Sequence, residues 1–177
     1  MVDPGSTTFG VHALSFSLYA HVYQQRPDIH CLIHVQTPAA TAVSAMKCGL
    51  LSLCQEALIC GRPSTHSINI DLHTNQLSLE NNVQQSTAQV NSAAFVASSI
   101  SASSLVKVLI LPNYGILACG TTVEEAWHIA FHLILACESQ LRMVSVGLDN
   151  LYMPSEESRT QVIDFLSMVS VTWYSFV

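Results

Sequence analysis

A chain of 177 residues has room for one domain with a real core, and a hydrophobic fraction of 50% supplies the apolar surface to fill it. The formal net charge of −6, with no cluster of lysine or arginine, excludes an electrostatic site for nucleic acid or for an anionic membrane leaflet. Only 10% of residues are charged, against roughly 25% in ordinary soluble chains, which points to a surface covered by a partner, by more of the same sheet or by a second copy.

In chain order, Ser17 is the expected cap of a short helix with Leu18 and Val22 on one face, and Pro27 stops it. IHCLIHV at 29–35 reads as a buried strand. His34 and Gln36 lie two apart on it, so their side chains project to one face, with position 36 at the strand's carboxyl end, where open α/β sheets bind ligands. Thr37 followed by Pro38 opens a helix, because proline at the first helical position sacrifices no hydrogen bond, and the alanine-rich turn is expected to run to Gly49.

From 62 to 104 the sequence is rich in Ser, Asn, Gln and Thr. Weak alternation at 67–73 predicts one hairpin strand there, followed by a helix or an insertion. His66 and His73 have no acidic or cysteine companion at ligand spacing and read as surface histidines. LVKVLIL at 105–111 is an apolar run of strand length, and PNYG after it is a turn.

The next helix is the clearest element. Thr121 and Glu124 are read as its capping box, Val123, Ala126, Trp127, Ala130, Phe131, Ile134, Cys137 and Leu141 as one wide apolar face, and Gly147 as its end. His128 and His132 have two-ligand spacing for zinc, but Ile129 stands where the glutamate of H-E-x-x-H would be, so they read as packing or solvent-facing groups. The apolar run at 162–177 carries Asp164 and falls short of the about 20 residues a bilayer span needs, so it is expected to be a terminal helix or strand packed on the core or on a partner. Cys31, Cys48, Cys54, Cys60, Cys119 and Cys137, without C-x-x-C or a signal peptide ahead of them, read as buried reduced thiols of the cytosol.

The segment RPDIHCLIHVQTPAATAVSAMKCGLL resembles the adducin branch of the class II aldolase/adducin family, in which H-x-H-T-P is usual. VDPGSTTFG, YAHVYQQRPD, VLILPNYGILACGTTVEEAWHIAF, ACESQLR and LDNL are similar to the family's other segments in the same order, and several collinear matches are more specific than one short motif. The similarity covers 2–61 and 106–151 and runs out between them. It implies an α/β fold of three layers, a central mixed β-sheet flanked by helices, partial because the chain begins inside the domain. Residues 1–151 would be the partial head, with 62–104 a diverged polar insertion and 152–177 an apolar extension.

The same resemblance implies where a site would lie. His34 keeps the family's first metal ligand, Gln36 stands at the second, Tyr114 at the third, and Ser15 near the acid/base glutamate. Aldol chemistry in this family needs a Lewis acid to stabilise an enediolate and a carboxylate to move the proton. With Gln36, Tyr114 and Ser15 in place of those groups, the expectation is a pseudoenzyme with no catalytic residue, no metal and no cofactor. A site built from His30, His34 and a Tyr114 phenolate would have to deprotonate a phenol of pKa about 10. The implied function is that of a non-enzymatic cytoskeletal protein at the cytoplasmic side of the plasma membrane, associating with actin filaments and spectrin. Nothing like the adducins' basic tail follows Leu151, so self-association of the head into a homo- or hetero-oligomer is the expected mode, without nucleic acid and without membrane insertion. The competing expectation is a metal-dependent lyase or epimerase acting on a small sugar phosphate.

Overall fold

The computed structural model describes residues 10, 13–71, 76–81 and 106–174. These form helix α1 (Ala13–Gln25), strand β1 (Cys31–Val35), short helices α2 (Pro38–Ser44) and α3 (Gln55–Ile59), and strands β2 (Ser64–Asp71), β3 (Gln76–Asn81), β4 (Val108–Leu111) and β5 (Gly115–Gly120). The long helix α4 (Val123–Met143) follows, then two single-turn 3-10 helices and helix α5 (Glu156–Tyr174). The strands lie in the order β1-β5-β4-β2-β3, with β2 and β4 parallel and the other neighbours antiparallel, so the sheet is mixed.

Alternation along the two central strands builds the three layers. Val108, Ile110, Ile116 and Ala118 point to one side and pack against Ala40 and Val43 of α2 and Ile129, Ala130 and Leu133 of α4. Leu109, Leu111, Leu117 and Cys119 point to the other side and meet Leu18 and Val22 of α1. A strand covered on both faces has no polar position to spare, which is why 105–111 reads as a continuous apolar run. Each such leucine or isoleucine contributes about 1.5–3 kcal/mol of burial, and the strongest packing therefore lies beside the site described below.

Several local expectations are corrected. Helix α1 already runs at Ala13, so Ser17 lies inside it and is not its cap; Leu18 and Val22 share the buried face as expected. Strand β1 begins at Cys31, because Ile29 and His30 complete the turn that the buried Arg26 pins by forking onto Asp28 (2.7 and 2.6 Å) and donating to the Val106 carbonyl (2.8 Å). Thr37 caps α2 by accepting from the Ala40 amide at 3.3 Å, with Pro38 in the first turn. That helix stops at Ser44, and Gly49, at φ +59, closes a separate turn onto the Met46 carbonyl. The segment expected to hold one hairpin strand holds two, β2 and β3, while residues 82–105 lie outside the described residues. Between the PNYG turn and α4 runs a further strand, β5, and the described part of the C-terminal run, 162–174, takes the helical of its two expected forms, within α5.

Helix α4 differs from its sequence reading in three respects, the first being that it ends at Met143, with a 3-10 turn between it and Gly147. Its cap is Thr122, whose hydroxyl accepts from the Glu125 amide at 3.2 Å, and the reciprocal carboxylate is that of Glu125, which takes the Thr121 amide (2.7 Å) and hydroxyl (2.8 Å) and pairs with Lys107. The capping box thus sits one residue later than Thr121 and Glu124. The wide apolar face also divides: Ala126, Ala130 and Cys137 are buried with Ile129, Leu133 and Ala136, whereas Val123, Trp127 and Phe131 are exposed. A Cβ on Gly120 would stand 2.5 Å from the Ala126 nitrogen, so the helix start lies against the β5 backbone and only small side chains fit beneath it. Val123–Val146 is long and apolar enough to cross a bilayer, but its buried side is occupied by the sheet.

Candidate functional site

Strand β1 sends Ile33 and Val35 toward α4, and Leu32 and His34 toward α1, by the same two-residue alternation. The His34 imidazole lies between two tyrosines. The Tyr19 hydroxyl of α1 is 3.4 Å from Nδ1, and the Tyr114 ring lies tilted beside it with centroids 5.1 Å apart. His34 Nε2 is 3.0 Å from the Tyr114 backbone oxygen. A carbonyl only accepts, so the neutral ring carries its proton on Nε2, and the Nδ1 lone pair is left for the Tyr19 hydroxyl. Gln36 donates its amide N–H to the same carbonyl at 3.2 Å, and Ser15 hydrogen-bonds Tyr19. The structure therefore brings His34, Gln36, Tyr114 and Ser15 into one network, with Tyr19 as the link to Ser15 that the sequence reading missed.

The turn that delivers the Tyr114 carbonyl depends on its glycine. The Tyr114 amide closes onto the Leu111 carbonyl at 2.9 Å, Asn113 takes φ +62, and Gly115 takes φ +108 while donating to Ser44 Oγ at 3.3 Å. A Cβ at Gly115 would meet the Val35 oxygen at 2.5 Å and both His34 Nε2 and Gln36 Cγ at 3.2 Å. PNYG signals a turn in the sequence, but not that its last residue must pass this close to the end of β1.

Burial dominates the electrostatics here. It lowers the His34 pKa against the opposing bond to the Tyr114 carbonyl, so the ring is neutral at physiological pH. It raises the Tyr19 pKa, as does the neighbouring Tyr114, with the Ser15 bond opposing both, so the phenol keeps its proton. As arranged, these residues do not fit a divalent cation. The His34 and Gln36 groups present N–H to a carbonyl, not lone pairs to a metal, and a phenol stands where a third ligand would be needed. Among the described residues no three His, Cys, Asp or Glu side chains are grouped to hold a metal ion.

The other histidines fall elsewhere. His30 precedes β1, is exposed, and its backbone amide donates to the Gly120 carbonyl at the end of β5. The His128 and His132 rings lie tilted at 54° with centroids 4.3 Å apart, and His132 Nδ1 donates to the His128 carbonyl at 2.8 Å, which is helix-surface packing. His66 corrects its surface reading: it is 0% exposed, because β2 is an inner strand paired with β4. Its Nε2 meets Ser64 Oγ at 2.8 Å, while its Nδ1, like His21 Nε2 on α1, is buried without a hydrogen-bond partner. Burial, then repulsion from His21, pushes the His66 pKa down to about 4. His73 lies outside the described residues. Of the cysteines, Cys60, Cys119 and Cys137 are buried thiols as expected, Cys31 and Cys54 are half-buried, and Cys48 is exposed.

A cavity of about 250 Å³ opens between the 48–52 loop, the start of β2 and α5. Its charged groups answer one another: Glu156 pairs with Arg159 at 3.0 Å and with Arg62 at 3.5 Å, and Arg62 also reaches the Thr160 hydroxyl at 2.9 Å. It shares no lining residue with the His34 network.

Residues 6–141 match the family model of the Class II Aldolase and Adducin N-terminal domain. The chain is similar to alpha-adducin of Rattus norvegicus, 39% identical over 153 residues that make up 85% of this chain and 18% of that protein. It is also similar to beta-adducin of Rattus norvegicus (36% over 159 residues, 89% of this chain, 20% of that protein) and to Protein hu-li tai shao of Drosophila melanogaster (36% over 164 residues, 93% and 13%). The chain thus spans a fifth or less of these relatives' length. Among solved structures it is similar to an aldolase II superfamily protein from Pseudomonas syringae, with TM-score 0.65 and 24% identity over 90% of this chain and 57% of that one. L-fuculose 1-phosphate aldolase from Glaciozyma antarctica PI12 gives TM-score 0.60 and 18% identity over 87% and 51%, and these two likenesses concern the fold alone. With the mixed sheet, the flanking helices and the family match in agreement, the chain belongs to the class II aldolase and adducin family, as an adducin-like head domain.

Proposed function

We propose that this adducin-like chain is a non-enzymatic binding protein of the cytoskeleton, associating with actin filaments and spectrin at the cytoplasmic side of the plasma membrane through self-association of its head. The observation that carries the non-enzymatic part is the Tyr114 carbonyl, which receives N–H groups from both His34 and Gln36. Where the family's chemistry requires lone pairs on a Lewis acid and a carboxylate for the proton, these positions supply hydrogen-bond donors, a phenol and a hydroxyl. The cytoskeletal part is supported by the adducin relatives and by a surface poor in charge.

Metal analysis of the purified chain and of His34→Ala tests the first part. Zinc far below one equivalent in both is expected; one equivalent that disappears in His34→Ala overturns the reading in favour of a lyase or epimerase on a small sugar phosphate. Co-sedimentation with filamentous actin and with spectrin tests the second, and pelleting no greater than that of a control protein at micromolar concentration refutes it for this chain.

A further inference from the structure

Val123, Trp127, Phe131 and Leu135 recur every four residues along α4 and are 65%, 64%, 51% and 37% exposed. The same helix buries Ala126, Ala130, Leu133 and Cys137 against the sheet, so the exposed set is a second apolar stripe that the fold leaves uncovered. Its exposed side chains amount to on the order of 400 Å², the size at which an apolar patch on a soluble protein marks an interaction site.

We propose that this stripe pairs the chain with a second copy of itself, the two α4 helices crossing antiparallel. The inference rests on the self-association reading above and names its surface. The order of residue sizes is the first reason. Aliphatic residues stand at the ends and aromatic residues in the middle, so a half-turn about an axis through the stripe's midpoint sets Trp127 against the copy's Phe131 and Val123 against its Leu135. Such a patch is self-complementary, as a two-fold interface requires. Residues spaced by four form one ridge of a helix, and two such ridges interlock at a crossing of about 50°, the commonest helix-packing geometry.

Charge is the second reason. Within the chain Glu125 is paired with Lys107 and Arg142 with Glu138, so the side-chain charges at the two ends of α4 are largely answered and the helix dipole is what remains. The antiparallel arrangement opposes the two helix dipoles, whereas a parallel one sets like ends together. Area sets the strength. The stripe alone is about half of the roughly 800 Å² that each partner buries in a standard interface, so the pair is reversible and depends on concentration.

Sedimentation velocity of the 177-residue chain from about one to several hundred micromolar tests this, with circular dichroism as the check on folding. A reversible dimer is expected, weakened about thirtyfold or more by Trp127→Glu and by Phe131→Glu, since truncating a central aromatic anchor removes a dominant contact. Tyr152→Glu, at an exposed position off α4, leaves it unchanged. A dimer of equal strength in both stripe variants overturns this surface while the self-association reading stands. A chain that is monomeric at every concentration overturns both. A monomer whose co-sedimentation with spectrin or actin is lost in Trp127→Glu assigns the stripe to that partner and overturns the inference.

Discussion

Acidification should destabilise the fold through His66 well before the carboxylates titrate. The ring is fully buried, its Nε2 meets Ser64 Oγ at 2.8 Å, and its Nδ1 has no partner, so the doubly protonated ring would be a buried cation with an unanswered N–H. Its pKa falls from 6.5 unfolded to about 4 folded. Between those values the unfolded chain binds the proton and the folded chain does not, so this contribution is fully present above pH 6.5 and is lost progressively as pH falls to 4. Linkage puts the loss at about 2 kcal/mol by pH 5 and about 3 kcal/mol at completion.

Burial lowers the pKa of His21, His34 and His128 as well, so the wild-type slope has several sources of the same sign. Urea unfolding at pH 7.5 and pH 5.0, for wild type and His66→Gln, separates them. The stability difference between the two pH values should be smaller in the variant by about 2 kcal/mol. An equal difference in both proteins, or an imidazole that titrates near 6.5 by NMR, would refute the account of a buried neutral ring.

Gly115→Ala forces a Cβ to 2.5 Å from the Val35 oxygen at φ +108 and should destabilise by about 3 kcal/mol or prevent folding, read by urea midpoint and by loss of the Tyr114–His34 contact in NMR. Lys107→Met strips the cation from the nearly buried Glu125. Burial works against the charge on that carboxylate, but Lys107 and Thr121 outweigh it and hold its pKa low, so the variant should lose about 1–2 kcal/mol at pH 7, discounted for the half-exposed lysine. That loss should shrink as pH falls through the carboxylate's folded pKa, and a loss independent of pH counts against the pair. Gln140→Leu leaves the Leu51 amide and the Gly49 carbonyl without their partners, at 2.7 and 2.8 Å in the native protein. About 2–3 kcal/mol should go, with accelerated amide exchange confined first to the 46–52 loop.

What could be read from the sequence was local or carried by the order of motifs. Thr37-Pro38 contains its own capping chemistry, and an apolar run at 105–111 needs covering on both faces in any fold that includes it as a strand. Burial decided by distant pairing was not legible. His66 stands in a polar stretch, and it is inside because β2 lies between β4 and β3, where His66 faces Asn81. β5 escaped because GILACG shows no alternation, is flanked by glycines and begins directly at a turn. For α4 the helical period identifies the apolar positions but not which of them the sheet selects; the close approach at Gly120 makes that choice and turns Trp127 and Phe131 outward.

The site shows the same division between what side chains announce and what the backbone does. Motif order places His34, Gln36, Tyr114 and Ser15, yet the group that joins the first two is a main-chain oxygen, which no residue type encodes. That oxygen gives His34 a role without a metal. One ring nitrogen fastens β1 to the β4–β5 turn and the other faces α1 through Tyr19, so the imidazole spans three elements and both of its nitrogens are engaged. The His34 side chain is thereby held by packing and by hydrogen bonds on both ring nitrogens, and Gln36 adds a second donor to the same carbonyl. Replacing His34 by a residue that keeps only one of the two bonds should then weaken the joint between α1 and the sheet, whatever its effect on metal content.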